Sequence, residues 1–160
     1  MQEKVLQVLN GLGISFELIS HPPVNTMEEA DIHWNGIDAI FCKNLFLRDY
    51  KGKQHYLVIL PTEKQLDLKW FAEKYQIQRP GFASEKRLDK YLGLKPGSVS
   101  PFGLINDQNN HVIVKLDSSL GEGRNVAFHP NVNTSTLVIS SADFKKYMNW
   151  IGNSFEFYPF

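Results

Sequence analysis

Three short stretches of this chain hold residue types that could do chemistry. The first is Cys42-Lys43-Asn44, inside the largely apolar run Phe41 to Leu47. On a strand, residues of equal parity share a face. Lys43 then lies in a row with Phe41, Leu45 and Leu47, and Asn44 lies in the opposite row with Cys42, Phe46 and Arg48. A lysine in an apolar row either runs its stem to water at the strand end or points its ammonium into a pocket. The second stretch is Gly97-Ser98-Val99-Ser100-Pro101-Phe102-Gly103. It is either a plain connector or a loop whose successive N–H groups form an anion-binding concavity, which could stabilise the oxyanion of an acyl transfer. The third is His129-Pro130, after a strand whose Val126 and Phe128 face the core. A histidine there is either a satisfied surface residue or a polar edge offered to a ligand. His21 sits beside Pro22 and Pro23 in the same way.

Other chemistries find no support. His21, His33, His55, His111 and His129 contain no pair at metal-ligand spacing, so no metal site is expected. Gly121-Glu122-Gly123-Arg124 is too short for a phosphate loop and lacks its lysine and Ser/Thr. No Gly-x-Ser-x-Gly elbow occurs. Cys42, the single cysteine, has no assignable base and excludes an internal disulfide, which suits a reducing compartment. The 17 basic and 17 acidic residues cancel, which argues against a non-specific nucleic-acid coat but leaves room for a small local patch. The N-terminal segment mixes Gln2, Glu3, Lys4 and Gln7 with apolar residues, and no long apolar stretch follows, so a cytoplasmic protein is expected.

These residues must be held by elements that the pattern also predicts. The spacing of Val5, Leu6, Val8, Leu9 and Leu12 predicts a helix ended by Gly13, and Ile14 to Ile19 a strand. Thr26 with Glu29 has the form of a capping box. Phe41–Leu47 and His55–Leu60 read as a hairpin around Asp49-Tyr50-Lys51-Gly52. Thr62 with Gln65 predicts a helix carrying Leu66, Trp70 and Phe71, and Ser84 caps another that Gly93 ends. Leu104–Asn106 and His111–Asp117 read as a second hairpin. Val126–His129 and Leu137–Ile139 are short strands, Ser141 starts a last helix, and Phe155 with Phe157 adds a final strand. Tight hairpins among interspersed helices argue against a purely parallel sheet. The expected fold is α/β of the α+β type, a mixed, curved sheet with helices around it in one domain spanning residues 1–160.

Four segments in order complete the reading: His21-Pro22-Pro23-Val24-Asn25-Thr26, Cys42 to Asp49, Leu94 to Gly103, and Asn125 to Thr134. Together they resemble the YbaK/prolyl-tRNA editing family, above all its free-standing deacylases, over about residues 1–150. The resemblance implies a partly barrel-like sheet and hydrolysis of the ester of mischarged tRNA(Pro), typically carrying alanine. It implies that Lys43 is the essential lysine near the terminal adenosine and its phosphate. Gly97, Ser98, Val99, Ser100 and Pro101 correspond to the Gly-x-x-x-Pro loop facing the scissile ester. His129 lines the amino-acid pocket and sets its size, with Asn133, His21, Thr26 and Asn44 as further substrate-binding positions. Water is activated with help from the substrate's 2′-OH, so no cofactor and no metal is implied. The partner is the acceptor end of tRNA(Pro). The alternatives are a deacylase for cysteine on the same tRNA, a non-catalytic module binding the tRNA 3′ end, and a structural domain with no affinity for aminoacyl-tRNA.

Overall fold

The computed structural model describes residues 1–23 and 27–160, with side chains except those of 27, 28, 30 and 31. The position Thr26 therefore lies outside the described residues. Eight strands join in one mixed sheet: β1 (Glu17–Ser20), β2 (Ile40–Arg48), β3 (His55–Pro61), β4 (Gly81–Phe82), β5 (Ile113–Asp117), β6 (Asn125–Phe128), β7 (Ser135–Ser140) and β8 (Phe155–Tyr158). Their order is β1-β7-β6-β2-β3-β5-β8, with β4 added beside β2. Among the described residues five α-helices surround it: α1 (Gln2–Gly11), α2 (Met27–Trp34), α3 (Leu68–Tyr75), α4 (Glu85–Leu92) and α5 (Ser141–Ile151).

The sheet is two wings sharing β2. Antiparallel pairing runs β1–β7–β6, and β6 meets β2 in parallel over only Ile40↔Val126 and Phe41↔Ala127. From Cys42 onward β2 pairs antiparallel with β3, which runs parallel to β5, itself parallel to β8. Inward side chains of both wings, Phe46, Leu57, Ile59 and Val114 from one and Val126, Phe128, Leu137 and Ile139 from the other, pack in one core. A sheet whose two ends bury the same cluster has to curl, which gives the partly closed shape. Outside the second wing, Phe71 of α3 closes a smaller cluster over Leu47, Val58 and Leu60. Outside the first wing, Ala39, Ala127 and Val138 form a third.

The β2–β3 hairpin forms where the alternation predicts it. Asp49 fixes its turn by accepting from the Lys53 N–H at 2.8 Å. Ser84 caps α4 by accepting from the Arg87 N–H, and Gly93 ends it at φ 64, a left-handed conformation that favours glycine.

Several expectations are corrected. The first helix stops at Gly11, and β1 begins only at Glu17 because the Ile14 N–H bonds back to Leu9 and its side chain enters the core. Thr62 and Gln65 do not open α3. Asp67 does, taking the N–H groups of Lys69 and Trp70 on its carboxylate. Leu104–Asn106 is no strand. Ser100 as cap and Pro101 in the first turn drive residues Pro101–Asn106 into a 3-10 helix. No hairpin follows it, because the Asp107 carboxylate instead ties the Val112 N–H and the Asn153 amide.

One buried histidine makes stability depend on pH. His55 is fully buried at the start of β3. Arg87 Nη1–H donates to its Nε2 at 3.2 Å, so the ring proton sits on Nδ1 and donates to His111 Nε2 at 2.9 Å. Burial, with the nearby His111 and Arg87, pulls its pKa down from 6.5 to about 4. The unfolded chain therefore binds this proton below about pH 6.5 and the folded chain only below about pH 4. Stability is expected to be full at neutral pH and to fall as pH drops through that window. Urea unfolding of wild type and His55→Leu between pH 7 and 4.5 checks it: the variant should show the shallower pH slope, and parallel slopes would refute the assignment.

Candidate active site

The short β2–β6 pairing creates the site. After Phe41, β2 turns from β6 toward β3, and the Phe41 carbonyl accepts from the Thr62 N–H at 3.0 Å. Cys42 and Asn44 are thus left facing Phe128 and His129 across a gap with no ladder between them. The gap is a small cavity of about 20 Å³. Trp34 of α2 stacks on Phe41 at 4.3 Å between ring centroids and forms one wall, while Thr136 of β7 forms another.

The polar atoms around this cavity are mostly assigned. Trp34 Nε1–H donates to the Thr136 hydroxyl oxygen at 3.2 Å. That hydroxyl lies 2.8 Å from His21 Nε2, and His21 Nδ1–H donates to the Pro22 carbonyl at 2.8 Å. The His21 ring also stacks on His33 and lies beside His129. Despite three neighbouring imidazoles, no group of three or more His, Cys, Asp or Glu among the described residues is arranged to hold a metal ion.

Two acceptors remain. The Asn44 side-chain oxygen is buried and has no hydrogen-bond partner among the described residues. His129 Nδ1–H donates to the Ser135 carbonyl at 3.1 Å, so its Nε2 is left as an acceptor. Burial pushes the His129 pKa below 6.5, with the Ser135 bond opposing and His21 adding to the shift, so the ring is neutral at pH 7. A cavity with two unsatisfied acceptors suits a ligand that brings N–H donors. Cys42, which also lines it, is a spectator: burial first, then the charges of Glu63 and Asp117, push its thiol far above the usual range.

The Gly97–Pro101 loop does not line this cavity but is tied through Ser100 to Asn131, two residues past His129. Gly97 has φ 88, a conformation that other residues rarely adopt. The Ser98 N–H bonds the Lys95 carbonyl. The buried Ser100 hydroxyl accepts from the Phe102 N–H and donates to Asn131 Oδ1, both at 3.0 Å. Among the described residues no group accepts from the N–H of Val99 or of Ser100. With the Gly97 N–H, which also finds no acceptor among the described residues, those donors are the loop's free chemistry.

Of the residues singled out in the sequence, Asn44 and His129 share the cavity, His21 supports its wall, and the loop is fastened next to the His129 segment. Lys43 is not brought in directly. It stands opposite Leu60 on the outward face of β2, half-buried, without a hydrogen bond or ion pair among the described residues. Asn133 is half-buried and does not line the cavity. Sequence reading missed Trp34, Phe41, Thr136 and Asn131. The first three have no local signal, since a tryptophan and a threonine 102 residues apart meet only through the fold. Asn131 had one, an asparagine just past His-Pro where the chain turns at φ 62.

Comparisons with known proteins agree with this architecture. The family model described as the aminoacyl-tRNA editing domain matches residues 21–147. The chain is 44% identical over 156 residues to the prolyl-tRNA editing protein ProX of Acetoanaerobium sticklandii, covering 97% of this chain and 94% of that protein. It is 31% identical to the prolyl-tRNA synthetase associated domain-containing protein 1 of Mus musculus, covering 96% and 92% of the two chains. Among solved structures, a hypothetical protein superposes with a TM-score of 0.73 at 20% identity over 95% of this chain and 96% of its own. A candidate trans-editing enzyme for prolyl-tRNA synthetase superposes at 0.70 and 17% identity over 97% and 94%. With the family model matching residues 21–147 and a 44% identical relative aligned over nearly its whole length, the chain belongs to the aminoacyl-tRNA editing domain family.

Proposed function

We propose that residues 1–160 form one editing domain that hydrolyses the ester of alanine mischarged onto tRNA(Pro). The observation that carries this reading is the cavity at the β2–β6 split. At about 20 Å³ it has room for one methyl-sized group, since one water-sized probe needs roughly 10–15 Å³. Alanine brings a methyl, whereas proline brings a ring of three methylenes fused to its nitrogen. A synthetic site shaped for proline rejects the smaller side chain only weakly, because missing methylenes are worth about 1–3 kcal/mol. A second site too small for proline supplies the missing selectivity.

The chemistry asks little of the protein. An aminoacyl ester is already activated, and the neighbouring 2′-OH of the terminal adenosine helps deliver water. The α-ammonium of the bound amino acid supplies N–H donors to Asn44 Oδ1 and His129 Nε2, while the Val99 and Ser100 N–H groups stabilise the oxyanion. Lys43, whose ammonium has no ion pair or hydrogen bond among the described residues, holds the terminal phosphate. The reading places the protein with the translation machinery in the cytoplasm; no described helix is long and apolar enough to cross a membrane.

The deciding experiment is single-turnover deacylation of Ala-tRNA(Pro), Pro-tRNA(Pro) and Cys-tRNA(Pro). Selective loss of alanine is expected. Selective loss of cysteine would reassign the pocket, and binding without turnover would make this a module that holds the tRNA 3′ end. The same assay carries a pH prediction. His129 accepts only when neutral, and burial keeps it neutral until below pH 6.5. After correction for spontaneous hydrolysis, the rate should be level above that pH and fall below it. His129→Gln keeps an acceptor that does not titrate, so it should lose the acid limb; an unchanged profile would remove His129 from this role.

A further inference from the structure

We propose that Asn131 is a positioning residue for the deacylation: its side-chain amide clamps the Gly97–Pro101 loop to the segment that carries His129. The proposal rests on the editing reading given above. Asn131 is buried and left-handed, at φ 62, two residues past His129. Its amide spends both ends on the loop. Oδ1 accepts from the fully buried Ser100 hydroxyl at 3.0 Å, and Nδ2 donates to the Phe102 carbonyl at 3.3 Å. Ser100 Oγ accepts in turn from the Phe102 N–H, so Ser100, Phe102 and Asn131 form a closed ring of three hydrogen bonds. On the far side the Tyr147 hydroxyl donates to the Pro101 carbonyl at 2.8 Å.

The chemistry of this arrangement is unlike that of the core around it. Phe102, Phe128 and Tyr147 already pack edge to face beneath the loop. An apolar side chain of similar shape would serve burial there as well as a polar one. The amide adds direction. It leaves the Val99 and Ser100 N–H groups unbound between two fixed points and sets their distance from the His129 pocket. Donors held in place before the substrate arrives need no reorganisation when charge develops on the ester oxygen. A displacement of about 1 Å at a site far from the reacting atoms can cost on the order of 100-fold in rate.

Asn131→Gly tests this without straining the backbone, because glycine accepts the positive φ. Single-turnover deacylation of Ala-tRNA(Pro) should slow about 10- to 100-fold at saturating protein, with half-saturation within about twofold of wild type. Asn131→Asp keeps the acceptor for Ser100 and should recover part of the rate. Ser100→Ala breaks the same bond from the other end, so the double variant should be little slower than the slower single one. A wild-type rate in Asn131→Gly overturns the positioning role alone. So does a parallel loss of rate, half-saturation and melting temperature that Asn131→Asp fails to rescue, the mark of a purely structural residue. If wild type itself leaves Ala-, Pro- and Cys-tRNA(Pro) intact, the editing reading falls and the positioning role with it.

Discussion

Lys43→Ala is expected to lower single-turnover deacylation by about 100- to 1,000-fold, the range seen when one preorganised charge-stabilising donor is removed. The same substitution should leave the melting temperature within about 2 °C of wild type, as for surface changes worth under about 0.5 kcal/mol. The first half follows from the proposed contact with the terminal phosphate, and the second from the surroundings of Lys43. Lys43 is half-buried on β2 yet makes no ion pair or hydrogen bond among the described residues. A lysine whose ammonium has no partner among the described residues contributes little to folding through its charge, and the melting temperature separates a catalytic loss from unfolding. Lys43→Arg should not restore the full rate, because the wider guanidinium fork presents its charge differently from a compact ammonium. A Lys43→Ala protein that melts normally and deacylates at the wild-type rate would show that the ammonium has no part in the reaction.

The second large effect is on selectivity. His129→Ala should let Pro-tRNA(Pro) into the hydrolytic site and cut the alanine-to-proline rate ratio by about 100-fold, the scale of a few methylenes in a fitted pocket. The imidazole is one wall of a cavity of about 20 Å³, and its removal opens room on that side. Alanine hydrolysis should also slow, since the ring's Nε2 acceptor goes with the wall, so the ratio and not either rate alone is the measure. Single-turnover assays on both substrates with one tRNA preparation give that ratio directly. If proline remains uncut while alanine slows, His129 orients the substrate and something else excludes proline.

Much of this architecture could be read from residues close in sequence. The β2–β3 hairpin follows from strict alternation around a turn that Asp49 closes, and α4 follows from Ser84 and Gly93 at its ends. Errors arose where two local signals competed. Thr62 and Asp67 can both cap a helix, and the structure uses Asp67, while Lys64 is drawn instead into an ion pair with the buried Asp117. Leu104-Ile105-Asn106 looks apolar enough for a strand, but Ser100 and Pro101 commit the segment to a 3-10 helix before pairing can begin. The site divides the same way. Asn44, His129 and the Gly97–Pro101 loop were visible as motifs. Trp34, Phe41 and Thr136 were not, because what makes them part of the site is the way β2 leaves one neighbour for another, and that is decided by long-range packing.

Under the function proposed above, that departure bears on how the protein would measure an amino acid. Neighbouring strands in a sheet stand about 4.8 Å apart, a distance set by covalent geometry and hydrogen bonding. A slot opened by omitting the next rung of a ladder inherits its width from that spacing. Along the strands it can lengthen only by whole residues, whatever its side-chain walls Trp34, Thr136 and His129 do. Pairing Cys42 with Phe128 would close the slot, and unpairing Phe41 from Ala127 would lengthen it by a whole residue. The gauge therefore has steps and little play, which is what a device that must separate a methyl from a small ring requires.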